Sequence, residues 1–429
     1  MRVLVVGSGG REHALAARLA ESPRLSELHA APGNPGIGGV ATCHDVAAAD
    51  IDGISRLAAR IAADLVVVGP EAPLVAGLAD RLEHDGVPVF GPLQGAARIE
   101  GSKEFAKRVM LTAGVATADH SVCDTVAAAR AAVAEAGGRV VIKADGLAAG
   151  KGVFVCSTVE EAERAIVACL IEHTFGEGGD RLLIEQRLSG PEVSMLALCD
   201  GEHVLPLAPA RDHKRVGDGD RGPNTGGMGC VSPVPGFPDG EGVPLAERVH
   251  RPVVNELARL GAPFSGCLFA GLMLTADGPS VLEFNARFGD PEAQVVLPRM
   301  RGDLLDALAR CAAGGLQGGE LTVGPDACVS VVMAAPGYPT RPQLGGRITG
   351  VEQAARQPGV RVLHAGTAVD ELDRLVVAGG RVMNVVATGS DLTAARERAY
   401  AAVAEISFEG AVWRSDIGEQ SEVTEAGRV

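Results

Sequence analysis

Glu283-Phe-Asn-Ala-Arg-Phe-Gly-Asp-Pro-Glu292 gathers three acids, an amide and a guanidinium at the end of a β-rich segment. Strand alternation places Glu283, Asn285 and Arg287 on one face of an extended run. A carboxylate and an amide oxygen are hard donors of the kind that suits magnesium. A neighbouring Arg binds carboxylates bidentately and stabilises charge that develops during phosphoryl transfer. A structural ion pair accounts for one of these residues, hardly for all three beside further acids. Two strands lead into the run, Leu268–Leu274 and Ser280–Phe284, joined by the turn Thr275-Ala-Asp-Gly278.

Upstream, Lys143-Ala-Asp-Gly-Leu-Ala-Ala-Gly150-Lys151-Gly152 sets one Lys at a strand end and a second in a Gly-rich loop. Such a loop suits a flap closing over a triphosphate, with lysines neutralising phosphate oxygens. It is not the nucleotide P-loop, because Gly152 stands where a Ser or Thr would meet magnesium. The alternative is a surface hairpin with two solvated lysines. Glu185-Gln-Arg-Leu188, followed by Gly190-Pro-Glu192, offers a hinge for an adenine edge with a carboxylate near a ribose. By itself it is an ordinary strand exit. Asp212-His-Lys-Arg215 and Gly222-Pro-Asn-Thr-Gly-Gly-Met-Gly229 lie in a connection too long to be idle, from Arg211 to Gly240, and suggest an active-site loop.

Gly7-Ser-Gly-Gly-Arg-Glu-His13 follows the first strand and opens a helix, a place where backbone N–H groups meet phosphate. It nearly matches the dinucleotide fingerprint, but Glu12 replaces the third small residue and the strand near Leu28–Ala31 ends in Pro32-Gly-Asn34 without an acid for a ribose. A phosphate-bearing substrate, a tight turn and a nicotinamide site remain in competition.

Composition narrows the function. The 429 residues suggest about three domains. The longest apolar runs, such as Val3–Val6, are far short of a membrane span, and Met1 leads directly into a strand, so a soluble cytoplasmic protein is expected. A net charge of -15 and 3% aromatic residues disfavour nucleic acid and anionic membranes as partners. The nine cysteines are scattered without a C-x-x-C pair, which signals core residues in a reducing compartment, not disulfides or zinc.

Alternating strands (Arg2–Val6, Leu65–Val68, Val87–Phe90) and the helix Glu12–Ala20 predict a doubly wound parallel sheet through about residue 100. A helix over Lys103–Leu111, strands at Val140–Lys143, Val153–Cys156 and Arg181–Glu185, and a helix over Val159–Ile171 open the middle region. Helices at Ala293–Met300 and Leu304–Ala312 close it, with a linker at Gly314–Gly319. The last part has strands at Cys328–Ala334, Val360–His364 and Arg381–Ala387 and a helix over Leu392–Ile406.

These motifs, with Pro32–Asn34, Val68–Leu74, Glu100–Lys107 and His364–Thr367, closely resemble the phosphoribosylamine–glycine ligases of the ATP-grasp superfamily, from the first strand to about Ile417. The resemblance implies an α/β and α+β multidomain protein. It would have an N-terminal doubly wound domain (1–100), a central ATP-grasp fold (101–320, with a lid at about 115–190) and a small mixed α/β C-terminal domain (325–420). It implies ATP-driven joining of glycine to 5-phosphoribosylamine through a glycyl phosphate, with Mg2+ or Mn2+, in a monomer or weak homodimer. Lys103, Lys143, Gly150, Lys151 and Gly152 would meet the ATP phosphates, Glu185 and Leu188 the adenine, and Glu192 the ribose. Glu283 and Asn285 would hold the metal, and Arg287 the glycine carboxylate and acyl phosphate. Gly9, Gly10, Arg11, Asn34, Glu71, Asn224, Gly226 and Gly227 would bind the acceptor, near Asp212, Lys214 and Asp290. Asp212 and Asp290 are both candidates for the amine's proton.

Some positions depart from the pattern. Gly271 stands where many ATP-grasp enzymes carry a second acidic ligand. Cys230-Val231 replace Ala-Tyr, and Gln186-Arg187 an acidic–aromatic pair. The competing possibilities are another ATP-grasp ligase or carboxylase, such as a carboxyaminoimidazole ribonucleotide synthase, a nicotinamide oxidoreductase, and a non-catalytic nucleotide sensor.

Overall fold

The computed structural model describes residues 1–148, 152–317 and 321–419. Val3–Val6 and Leu65–Val68 are buried throughout, as strands covered on both faces must be. They belong to a five-stranded parallel sheet ordered Thr42–Cys43, Glu27–Pro32, Arg2–Gly7, Leu65–Val68, Val89–Phe90. The order switches direction between Arg2–Gly7 and Leu65–Val68, so a crevice opens beyond Gly7 and Gly69. The edge strand is shorter than expected; Pro88 brings no N–H to the ladder. The first helix runs Gly10–Leu19.

Two antiparallel four-stranded sheets follow. One is ordered His120–Cys123, Leu182–Gln186, Val140–Ala144, Val153–Val155, and has an apolar core of its own that includes Ile142, Ala165 and Cys169. The helix behind it is α from Val159 to Ile166 and widens into a π turn over Val167–Ile171. The other sheet is ordered Val204–Pro206, Glu192–Asp200, Ser265–Thr275, Gly278–Asn285, and shares its cores with the N-terminal sheet. Its hairpin closes at Gly278, whose φ of +111° a side chain would resist. A bulge passes over Leu282, so that Glu283 pairs with Gly271. Ser102 caps the helix Lys103–Thr112 by accepting from Phe105 N–H at 3.2 Å.

The third antiparallel sheet crosses the expected domain boundary. Arg211–Asp212 and Gly229–Ser232, from the long middle connection, line up with Ala327–Ala334, Arg381–Gly389 and Val360–His364. The connection is therefore not irregular throughout: it carries these two strands plus the small hairpin Arg215–Gly217 and Arg221–Asn224. The helix Gly242–Arg259, with Pro252 inside it, is a further element the sequence did not announce. The last helix spans Leu392–Val403. Residues 318 and 319 of the expected linker lie outside the described residues.

Candidate active site

A cleft of about 710 Å³ opens where the three antiparallel layers and the N-terminal domain meet. A second groove of about 640 Å³ lies between the first helix and the third sheet. Its Arg18, Arg301 and Arg361 are all paired with acids, and among the described residues no convergent lysine–carboxylate set lines it, so the first cleft is the chemical one.

At one end of the cleft stand Lys103, Lys143, Gly152, Glu185, Leu188 and Glu192. Gly150 and Lys151 lie outside the described residues. Lys143 Nζ donates to the Leu282 carbonyl at 2.8 Å and lies 2.9 Å from Glu185 Oε2. Lys107 Nζ lies 3.3 Å from Glu185 Oε1 and donates to Thr117 Oγ1 at 2.8 Å. One buried carboxylate thus faces two buried ammoniums, a floor with surplus positive charge. Burial lowers the pKa of both Lys103 and Lys107. The Glu185 side chain lies under the lysines, which leaves only the backbone of this hinge for a base edge.

In the middle, Glu283, Asn285 and Arg287 come together although the strand ends at Asn285. Burial alone would raise Glu283, but Lys214, Lys143 and Lys103 hold it below the usual carboxylate range. Arg287 Nη2 lies 2.9 Å from Glu100 Oε1, and Nε 3.3 Å from Glu71 Oε2. Two acids share one guanidinium, and the outcome differs between them. Burial would raise Glu71, yet Arg287 and Arg11 bring it down. Burial, with Glu71 adding repulsion, outweighs Arg287 and pushes Glu100 up to about 7.

At the far end, Asp290 lies 3.2 Å from Arg381 Nη2 and accepts from Gln294 Nε2 at 2.7 Å. Arg381 also donates to the Asp290 and Gly226 carbonyls. Lys214 pairs with Glu192 at 3.0 Å. Asp212, Asn224 and Gly226 line the cleft. Gly227, at φ +109°, packs over Asp212: a Cβ there would sit 2.6 Å from Asp212 Oδ1. His213 is pushed down to about 4 by burial, then by Arg414 and Arg211, and so stays neutral.

The N-terminal turn behaves differently from its motif. Glu12 Oε2 accepts from Gly9 N–H at 2.6 Å, and its Oε1 pairs with Arg11 at 2.6 Å. A side-chain carboxylate therefore fills the crevice where a dinucleotide phosphate would rest. Arg11 and Glu71 line the cleft; Gly9, Gly10 and Asn34 are not among its lining residues. Asn34 is committed elsewhere, donating to Ser8 and His364 carbonyls and accepting from Ile37 N–H. Gly10 is needed for packing, since a Cβ would meet Asn384 Nδ2 at 2.4 Å.

Four cleft residues carried no separate role in the sequence. Glu100 and Lys107 bound one sequence motif, and Glu292 ends another, so a signal existed. Arg381 stands in no motif.

The chain matches the family models described as phosphoribosylglycinamide synthetase N domain over residues 1–100, ATP-grasp (A) domain over 101–293 and C domain over 328–420. The phosphoribosylamine–glycine ligase of Streptomyces coelicolor is 51% identical over 424 residues, covering 98% of this chain and 99% of that protein. The chain belongs to the phosphoribosylglycinamide synthetase family. The ligase of Mesorhizobium japonicum is 48% identical, with 98% of each chain covered. The crystal structure of the Thermotoga maritima ligase superimposes with a TM-score of 0.84 at 32% identity, over 97% of this chain and 100% of that one. Biotin carboxylase from Campylobacter jejuni shares the fold (TM-score 0.74, 16% identity, 96% and 92% covered). All nine cysteines are free and only Cys43 is exposed, and among the described residues no helix is long and apolar enough to cross a membrane.

Proposed function

We propose that the chain joins glycine to 5-phosphoribosylamine, coupled to cleavage of ATP, giving glycinamide ribonucleotide, ADP and phosphate for purine biosynthesis. The observation that carries this is the convergence of Glu283, Asn285 and Arg287 on the buried lysine floor, in a chain of this family. A free carboxylate resists an amine, so it is first converted to a mixed anhydride, here glycyl phosphate. Lys103, Lys143 and, beyond the described residues, Lys151 receive the ATP phosphates, with Leu188 near the adenine and Glu192 near the ribose. Arg287 orients the glycine carboxylate and meets the charge of the transferring phosphoryl group. The acceptor lies towards Arg11, Glu71, Asn224 and Asp290.

The donors suit a hard divalent cation, Mg2+ or Mn2+: the lysines keep Glu283 ionised, and among the described residues the Asn285 oxygen is held only by a long 3.4 Å contact from Arg287. One carboxylate and one amide leave the remaining positions to phosphate oxygens and water, and among the described residues no larger acid, His or Cys cluster could hold a metal. A metal bound there neutralises phosphate charge. Free thiols fit a reducing, cytoplasmic setting, and we place the chain there as a monomer or weak dimer without nucleic-acid or membrane partners.

The test is phosphate release from ATP with glycine and freshly generated 5-phosphoribosylamine, omitting each in turn. Release that needs both supports the assignment; release driven by bicarbonate instead of glycine overturns it in favour of a carboxylase. A nicotinamide cofactor does not fit the crevice filled by Glu12.

A further inference from the structure

We propose that Asp212, and not Asp290, takes the proton from the attacking amine. This rests on the ligase assignment above. When the amine lone pair attacks the acyl carbon, a C–N bond forms, the C–O bond to phosphate breaks, and phosphate leaves with the bonding electrons. The nitrogen, now positive, must lose one proton. The acceptor needs an oxygen with a free lone pair and retained affinity for a proton.

Asp290 meets neither requirement. Its Oδ1 is occupied by Gln294 at 2.7 Å, and its Oδ2 faces Arg381 at 3.2 Å. Although burial would raise it, Arg381 and Arg11 hold it low.

Asp212 differs on each point. Its backbone is fixed across the short strand, where Asp212 pairs with Cys230 and its neighbour Arg211 with Val231. Among the described residues, no hydrogen bond reaches its carboxylate: Oδ1 is buried without a partner, and the residue as a whole is only part-buried and lines the cleft. A buried acceptor left bare costs stability, so an ordinary structural role would have supplied a donor. Gly227 is pressed against Oδ1 from the loop of small residues, where a Cβ would intrude at 2.6 Å. The groups facing Asp212 are Glu292, Lys214, Arg381, Glu192 and, across the strand, Cys230. Burial first, and Glu292 second, raise its carboxyl well above the ordinary range, against Lys214 and Arg381. Lys214 is electrostatically tied to Glu283 as well as Asp212, which sets Asp212 beside the phosphoryl-transfer residues.

The experiment separates activation of glycine from amine transfer. Ribose 5-phosphate fills the acceptor pocket without a nucleophilic nitrogen, and ATP labelled with oxygen-18 in its β,γ-bridge reports reversible glycyl phosphate formation by glycine-dependent label migration. Asp212→Asn should keep that migration and lose full turnover with 5-phosphoribosylamine by roughly 10²-fold to 10⁴-fold; turnover of the intact protein should rise with pH as the carboxyl ionises, and this dependence should vanish in the variant. Loss of migration and turnover to the same extent, in a variant that still binds ADP, overturns the proposal. So does turnover within about tenfold of the parent while Asp290→Asn collapses. Should Asp212→Asn not fold, Asp212→Ala with added formate replaces it: formate-dependent recovery of amine transfer supports the assignment, and none in the folded variant refutes it. If the intact protein itself shows neither migration nor turnover, the ligase assignment fails, a result distinct from any of these.

Discussion

The two ends of the cleft are charged by different rules. At the nucleotide end, Lys103, Lys107 and Lys143 crowd around Glu185 and Glu283, with more ammonium than carboxylate and all three lysines largely or partly buried. At the acceptor end Arg381 is paired with Asp290 and Lys214 reaches back to Glu192, while among the described residues the Asp212 carboxylate alone has no hydrogen-bond donor. A surplus of buried cations is costly until a polyanion arrives, so that end is built to be completed by phosphates. Paired charges are satisfied without substrate, so the acceptor must exchange its contacts for theirs. The lesson is that affinity at one end comes from relief of like-charge crowding, and at the other from substitution of existing pairs.

Arg287 sits between these ends, and its loss should break the contrast altogether. Arg287→Ala should lower turnover by roughly 10²-fold to 10³-fold, read as phosphate release under saturating substrates; near-normal turnover would remove its assigned role. The next largest effect is on stability. Glu100 ionises at about 7 in the fold against an ordinary value of 4.5. The folded chain therefore holds a proton that the unfolded chain has released between those values. Stability from Glu100 is fully present below pH 4.5 and declines as pH rises through about 7. Comparing urea unfolding across this window should show the parent losing stability relative to Glu100→Gln by on the order of 1 kcal/mol per pH unit. A constant difference would mean that Arg287 keeps Glu100 ionised throughout.

Much of this contrast was legible in the sequence at the nucleotide end and little of it at the other. Val3–Val6, Leu65–Val68 and the hairpin around Thr275–Gly278 announced themselves by local chemistry: β-branched runs, a turn and fixed alternation. Lys103, Lys143, Glu283, Asn285 and Arg287 belong to such segments, and all reach the cleft. The acceptor end depends on pairing between distant strands. Arg211–Asp212 reads as loop because two residues carry no period, and only the partner strand Gly229–Ser232 makes them β. Arg381 reaches Asp290 because its strand adds to that same sheet, a register no local pattern encodes. Glu12 shows the opposite failure. A near-match to a phosphate motif was visible, but the hydrogen bond from Gly9 N–H that fills the turn was not.

The difference between the ends can be sharpened by removing one cation from each. Lys143→Met deletes a charge from the crowded floor and leaves Glu185 with Lys107 alone. Hydrogen bonds to charged groups contribute about 1.5–3 kcal/mol, so kcat/KM for ATP should fall roughly 10-fold to 10²-fold. The KM for 5-phosphoribosylamine should stay close to that of the parent. Equal losses for both substrates would show that the floor organises the whole cleft and not its nucleotide end.

The smallest effect belongs to Arg381. Its fork ties the Gly226 and Asp290 carbonyls to the Asp290 carboxylate, while Gly226 N–H is held by Tyr338 Oη at 3.1 Å. The loop from Gly222 to Gly229 is thus clasped by two residues of the C-terminal part. Arg381→Lys keeps the charge and loses the planar fork, which a single ammonium does not reproduce. Because the pair at this end is already satisfied, the loss is one of positioning, and the KM for 5-phosphoribosylamine should rise about tenfold, worth roughly 1.4 kcal/mol. The KM for ATP should not move, since among the described residues the hydrogen bonds and ion pair of Arg381 go to Gly226 and Asp290 and not to the lysine floor. Steady-state kinetics with each substrate varied in turn decide it. A parallel rise in both values would mean that the third sheet sets the geometry of the entire cleft, and that its two ends are not separately tuned.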